Sequence, residues 1–403
     1  MKSSVMRVAA VAALTAGSMT GPVISSAQAE NFRIGFLNTL SGGAAILGKS
    51  QLAGWTLGLE QEGWKKNGDK LGGVPTDIWI GDDQRKVDVG LRVVRRWMKS
   101  EKVHMVAGVI WSNILAAVQQ PVVRSGRIML STNAGWSGMA GTKCSPYFIS
   151  SSFQNDEAAE AMGQLMNKEG LKSVYLMAPN YQAGKDMLTG FRRSYKGGKV
   201  KGQILFKLGA RDFQAELSRV RASKPEAVFI FVPGGMGIAF MKQWAASGIG
   251  KEIKLYTNYA VDNLTIKPIG KAAVGTFHTL HWGPNMDNAR NKEFIKGFVA
   301  KYKRLPDMFA LQGYDGARLV ADGLRTFGFN GKRLDRLVAG MRHQGMNSVR
   351  GKLAYNVNGF LIQPWYKRVV QLNAKGVPEI KSTDRVTFKK DSYWQKCPKR
   401  NRS

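Results

Sequence analysis

The chain has 403 residues, 60 Lys and Arg against 28 Asp and Glu, a formal net charge of +32 and 44% hydrophobic residues. That length supports two domains and a large core, and the apolar share is ordinary for a globular protein. The basic residues are scattered, with no Lys/Arg-rich arm and no basic-aromatic motif, so nucleic acid is excluded as a partner and the charge reads as a solvated surface that steers anions.

Met1–Ala29 has the order of a secretory signal. Lys2 and Arg7 come first, an apolar run follows from Val8 to Leu14, and small residues lead to Ala27-Gln28-Ala29. The run is too short to span a bilayer. Cleavage after Ala29 and an exported mature chain are the expectation; a retained N-terminal anchor is the alternative. Two cysteines in an exported chain, Cys144 and Cys397, suggest one disulfide that returns the C-terminal tail, with two free thiols as the alternative.

Phe32–Leu37 reads as a buried strand that runs into the glycine-rich loop Asn38–Ala45. A helix is expected over Gln51–Glu60, a strand over Thr76–Gly81 ending at Asp82-Asp83, and a helix over Val87–Lys99. Val103–Val109 is the third strand, stopping at Trp111-Ser112-Asn113. Ile114–Val123 is a helix broken by Pro121. Ile128–Trp136 begins as a strand and ends in Asn133, Ala134, Gly135 and Trp136. These small residues leave backbone amides uncovered beside an aromatic ring, a place to hold a small anion.

A second strand-helix series follows Tyr147–Ser150. Asp156–Lys168 is a helix with Asn155 as its N-cap. Ser173–Ala178, Val200–Phe206, Ala227–Val232 and Ile253–Tyr256 are strands, and Lys185–Tyr195, Phe213–Ala222 and the run to Ala246 are helices. Ala273–Leu280 is a connecting strand. Helices over Lys292–Tyr302, Phe309–Phe327 and Leu334–Arg342 precede strands at Val349–Tyr355 and Leu361–Leu372. The alternation predicts an α/β fold of two similar lobes with parallel sheets, enclosing a cleft. Ligands bind beyond the carboxyl ends of such strands, here at Ser41–Ala45 (Gly43 and Ala44 included), Asp82-Asp83, Trp111–Asn113 and Ser131–Trp136.

The chemistry of catalysis is missing. There is no phosphate-loop motif, and Gly42-Gly43 and Gly234-Gly235-Met236-Gly237 lack dinucleotide spacing with a downstream acid, so no cofactor is expected. His104, His278, His281 and His343 form no metal-ligand pattern. There is no Gly-x-Ser-x-Gly elbow, and Asp82-Asp83 reads as a solvated strand end. Neutral polar and aromatic residues at the strand ends favour binding over catalysis.

The motifs Leu40-Ser41-Gly42-Gly43-Ala44, Asp82-Asp83-Gln84, Gly108–Asn113 and Gln312-Gly313-Tyr314-Asp315 resemble those of the periplasmic substrate-binding proteins of ABC importers, in the leucine/isoleucine/valine-binding group. Asn133-Ala134-Gly135, Cys144-Ser145-Pro146, Ala178–Asp186 and Pro233–Gly237 resemble the branch associated with aromatic carboxylates. The resemblance spans Asn31–Cys397 and implies a non-enzymatic, monomeric periplasmic receptor of two Rossmann-like lobes with three hinge crossings that docks on an inner-membrane permease. The implied division is residues 30–150 and 282–348 for the first lobe, 151–281 and 349–376 for the second, and 377–403 for a disulfide-tied tail.

By position, Ser112 and the Asn133–Gly135 turn would hold a carboxylate, and Tyr181 would cover it. Phe231 to Gly234 and Asn258-Tyr259 would complete the wall. Rings at Trp111, Trp136, Tyr181 or Tyr259 could sandwich a flat ligand, or simply pack. Phe153 is expected to pack near the hinge. Amino-acid binders of this group place an acid in the second lobe; here the nearest is Asp262, beside Asn258-Tyr259. Unless Asp262 points into the cleft, a ligand ammonium would lack a partner, so the expected ligand is a small organic anion. A branched-chain or other amino-acid-binding protein of the same transporter class, a ligand sensor for a signalling receptor and an exported enzyme are the other readings.

Overall fold

The computed structural model describes residues 30–402; the signal-like segment lies outside them. The first half consists of β1 (Phe32–Asn38), α1 (Ala45–Gln61), β2 (Lys70–Leu71), β3 (Val74–Asp82), α2 (Val87–Arg96), β4 (Met105–Gly108), α3 (Ser112–Arg124), β5 (Ile128–Ser131), α4 (Ser137–Ala140) and β6 (Phe148–Ser150). Its six-stranded sheet runs β2-β3-β1-β4-β5-β6, parallel except for β2. β4 and β5 are buried at every position, which is why they read as apolar runs, and β1 is buried at all but Arg33.

The second half holds α5 (Asn155–Lys168), β7 (Ser173–Pro179), α6 (Gln182–Ser194), β8 (Lys199–Phe206), α7 (Gln214–Ser223), β9 (Ala227–Phe231), α8 (Gly235–Ser247), β10 (Lys254–Asn258), α9 (Ile266–Ile269) and β11 (Phe277–Leu280). Then come α10 (Ala289–Tyr302), α11 (Met308–Phe327), α12 (Leu334–Gln344), β12 (Met346–Ser348), β13 (Gly351–Tyr355), β14 (Leu361–Leu372) and β15 (Pro378–Lys389). The nine-stranded sheet has the order β12-β13-β14-β11-β10-β9-β7-β8, with β15 antiparallel on β14.

Three local expectations change. α1 starts at Ala45, six residues early, because Ser50 and Gln51 are buried and used. Gln51 accepts from Asn38 Nδ2 at 3.0 Å and donates to the Thr132 carbonyl at 3.1 Å. α3 continues through Pro121, because its face of Ile114, Leu115, Val118, Val122 and Val123 is buried on both sides of the proline. Gln154, not Asn155, caps α5. Its side chain accepts from Asp156 N while Glu157 accepts from Gln154 N, a reciprocal capping box.

α11 returns to the first lobe by a close helix crossing. A Cβ on Gly54 would fall 1.8 Å from the Ala310 carbonyl oxygen, and one on Gly313 would fall 2.1 Å from that of Gln51. Only glycine permits that approach. Met346, Leu353 and Leu361 pack in the cluster under the first sheet, whereas Val370 belongs to the second-sheet cluster. The third crossing therefore runs along β14. The buried Arg350–Asp315 pair, at 3.0 Å, joins this region to α11, and Arg350 also donates to the Ser151 and Ser152 carbonyls of the first crossing. Removing either partner would leave an unpaired buried charge.

A disulfide joins Cys144 to Cys397 across 253 residues. By loop-closure entropy such a bond contributes about 5 kcal/mol. It anchors the chain end after the β14–β15 hairpin, a strand pairing that the sequence reading left inside a plain tail.

Candidate functional site

The site grows from strand ends that the backbone forces into unusual turns. After β4, Gly108 has φ +103° and Val109 φ +70°; after β10, Tyr259 has φ +64°. Positive φ is strained for a β-branched or bulky side chain and persists only where surroundings impose it. The Val109 amide donates to Leu37 O at 2.7 Å, and its carbonyl accepts from Ala134 N at 3.1 Å. This turn aims Ile110, Trp111 and Ser112 into the gap between the sheets.

These residues meet Phe153, Asn155, Tyr181, Phe231, Pro233 and Tyr259 around a cavity of about 30 Å³. Asn133, Leu47, Ala183, Met187, Met308 and Phe309 complete the lining. Rings form a continuous chain between the lobes. The Trp111 and Tyr181 centroids are 5.7 Å apart at 64°, those of Tyr181 and Phe231 6.1 Å at 23°, and those of Phe231 and Tyr259 5.7 Å at 84°. Phe153 stacks on Tyr259 at 5.3 Å. Trp111 is held by its indole N–H, which donates to Thr39 Oγ1 at 2.9 Å.

The polar groups are few and neutral. Ser112 Oγ accepts from Asn155 Nδ2 at 3.0 Å, which leaves its own proton free to donate. Asn155 is otherwise spent: Nδ2 also reaches Asp186 at 2.8 Å, and Oδ1 accepts from Gly135 N at 3.1 Å. α3 and α6 both begin at this cavity, after Trp111 and Tyr181, and neither N-cap supplies a side-chain acceptor. Their first-turn amides thus have no intrahelical partner and carry the positive end of the helix dipole. Burial, and then the neighbouring Glu157, push the Tyr259 phenol well above its ordinary pKa; burial does the same for Tyr181. Both stay protonated and can donate. Among the described residues no Asp, Glu, Lys, Arg or His lines the cavity.

Six of the expected ligand residues, Trp111, Ser112, Asn133, Tyr181, Phe231 and Tyr259, line this cavity. Others do not. The amides expected to be open at Ala134 and Gly135 are already donated to Val109 O and Asn155 Oδ1. A Cβ on Gly135 would lie 2.1 Å from Phe153 O, so this turn is packed against the crossing rather than offered to a ligand. Asn133 donates from Nδ2 to Ile110 O at 2.7 Å, leaving Oδ1 buried and unpartnered. Trp136 is half-buried outside the lining, and Asn258 is turned to Thr279. Gly234 is where the first lobe's Leu47 rests, with 3.1 Å to a hypothetical Cβ. Gly43 and Ala44 line a second, neighbouring cavity.

Asp262 does not line the cavity either. Its Oδ1 accepts from the amides of Leu264 and Thr265, and burial, followed by Asp307, pushes its pKa up to about 7. Asp83, expected to be solvated, is fully buried and accepts from Thr39 Oγ1 at 2.5 Å and from Arg85 N at 2.8 Å. Sequence reading missed Leu47, Met187, Met308 and Phe309, which look like any core positions, and Phe153 and Asn155, which follow a crossing rather than a strand. Among the described residues no cluster of three or more His, Cys, Asp or Glu could hold a metal, and no helix is long and apolar enough to cross a membrane.

A family model described as "Periplasmic binding protein" matches residues 31–376. The chain belongs to that family. Members bind solutes for transport, and the family name places them in the periplasm. Leu/Ile/Val-binding protein homolog 6 of Brucella melitensis is 27% identical over 293 residues, covering 70% of this chain and 73% of the relative. A solute-binding protein of an R. palustris ABC transporter, solved with benzoate, superposes with TM-score 0.83 at 28% identity, covering 90% of this chain and 99% of the other. A solute-binding protein from Rhodopseudomonas palustris BisB5, solved with 3,4-dihydroxybenzoic acid, gives 0.80 at 27%, covering 88% and 97%. A leucine-binding protein from Thermotoga maritima shares the fold, with TM-score 0.76 at 19% identity over 88% and 98%.

Proposed function

We propose that this family member is a periplasmic receptor for an aromatic carboxylate, which it delivers as a monomer to an ABC permease in the inner membrane after cleavage of its leader behind Ala29. The observation that carries the reading is the cavity lining: a chain of rings, protonated hydroxyls, two helix N-termini and no charged side chain. The Ser112 hydroxyl and the first amides of α3 supply the carboxylate's donors, in place of the Asn133–Gly135 turn. Charge-assisted bonds of this kind contribute about 1.5–3 kcal/mol each. Tyr181 and Phe231 cover the ring from the second lobe. An amino acid would bring an ammonium with no carboxylate to meet it, because Asp262 is spent on its own turn. The benzoate-bound neighbours support the same ligand class.

The Brucella relatives make branched-chain amino acids the competing ligands. A thermal-shift screen followed by calorimetry decides between them, since a ligand that binds only the folded state stabilises it by an amount that grows with the logarithm of the ratio of ligand concentration to Kd. Benzoate-type acids should raise the melting temperature and leucine, isoleucine and valine should not; the reverse order sinks the reading.

A further inference from the structure

Beside the aromatic cavity lies a second, of about 190 Å³, which shares Leu47, Trp111 and Pro233 as walls with the first. Its character is different, because two arginines from opposite lobes face it. Arg85, after β3, reaches across to the second lobe. A Cβ on Gly209 would lie 3.1 Å from its guanidinium, which also stands 6.0 Å from the Trp111 ring centroid. Arg211, before α7, reaches the other way, 3.4 Å from a Cβ built on Gly43. Among the described residues neither guanidinium meets a carboxylate. The nearest acids in the chain are committed elsewhere: Asp82 to the amides of Leu40 and Gln84, Asp83 to Thr39 and the Arg85 amide, and Asp212 to the Gln214 amide.

The turn that carries Arg85 is itself strained. Gln84 and Arg85 both have positive φ, 52° and 60°, and are held there by the side chains of Asp82 and Asp83. Two consecutive left-handed residues are costly for L-amino acids. What the acids obtain is an arginine aimed across the mouth of the cleft.

We infer that the mouth is an anion subsite, assembled by Arg85 and Arg211 when the lobes meet, and that it takes a second carboxylate on the ligand. Two guanidiniums brought together without an acid repel each other, and an anion between them removes that repulsion while accepting forked hydrogen bonds. The inference rests on the aromatic-acid reading for the inner cavity and extends it. A ring held by Trp111 and Tyr181 would send a far substituent past Leu47 and Pro233 into the arginine space. The preferred ligand is then an aromatic dicarboxylate rather than a plain benzoate.

The test is calorimetric titration of the full mature protein with terephthalate, which has a second carboxylate, and 4-methylbenzoate, which has a neutral group there. In the wild type the dicarboxylate should bind about tenfold tighter or more. In the double variant Arg85→Gln/Arg211→Gln that ratio should fall to about 1. No preference in the wild type, or a preference that survives in the double variant, overturns the inference. So does an equal loss for both ligands, which would put the only carboxylate at the arginines. The exposed single change Arg211→Gln serves if the double variant does not fold, and should lower the ratio part of the way. If no aromatic acid binds, the aromatic-acid reading fails. The subsite is then judged with sulfate against chloride at equal ionic strength. A rise in melting temperature that the arginine variant loses upholds the anion subsite, and an equal response in both overturns it.

Discussion

The two walls of the inner cavity are built on different principles. The first-lobe wall, from Ile110 to Ser112 with Asn133, is a set of strand-end groups locked by hydrogen bonds to Ile110 O, Thr39 and Asn155, with one hydroxyl proton and a helix N-terminus left over. The second-lobe wall is made of rings, Tyr181, Phe231 and Tyr259, that touch one another more than they touch polar groups. Under the proposed function, one side would fix where an anion sits and the other would supply area. A ligand that satisfied only one wall would have no reason to hold the lobes together, so selectivity and closure come from the same contact.

Trp111 is the residue through which the walls meet, and removing it should have the largest effect. Trp111→Ala forfeits the Tyr181 contact, the Thr39 bond and a buried ring. Loss of such a ring costs about 3–5 kcal/mol of stability, and denaturant unfolding would measure it. A loss below about 1 kcal/mol would mean that the lobes do not depend on this ring.

Ser112→Ala should separate the walls. Affinity for benzoate should fall about ten- to a hundredfold by calorimetry, with the unfolding midpoint nearly unchanged. Tyr181→Phe should cost far less than Tyr181→Ala, since area rather than the hydroxyl is what that wall provides. An inverted pattern, with Ser112→Ala harmless and Tyr181→Phe severe, would place the carboxylate on the second lobe.

The smallest effect concerns the support behind the polar wall. Asp186, which accepts from Asn155 and Ser137 N, is pushed up to about 6 by burial and then by Asp156. Its folded pKa lies above the unfolded value near 4, so the fold favours the protonated acid. That contribution is complete below about pH 4 and is lost as pH rises through about 6. Asp186→Asn, neutral throughout, should therefore gain melting temperature relative to the wild type between pH 4 and 7. A difference that is flat or falls with pH would show that Asp186 is better stabilised as an anion than its burial implies.

The order of strands and helices was legible in the sequence because buried parallel strands appear as uninterrupted apolar runs, such as Ala227–Val232, and polar residues must stop them. The cavity-lining residues at those stops, Trp111, Ser112, Tyr181 and Phe231, were legible for the same reason. Three things were not. Phe153 and Asn155 enter the cavity from a crossing, whose position depends on how the lobes pack. The amides of Ala134 and Gly135 looked open until the backbone of 153–155 was laid against them. Arg85 and Arg211, 126 positions apart in the numbering of the chain, carry no motif in common.

Local periodicity and turn chemistry thus determined the lobes and the strand ends, because each is decided by a few neighbouring residues. Which donors remain free, which acid is spent and which arginines share a cavity were decided only by tertiary structure, because hydrogen-bond capacity and charge pairing are settled by neighbours in space.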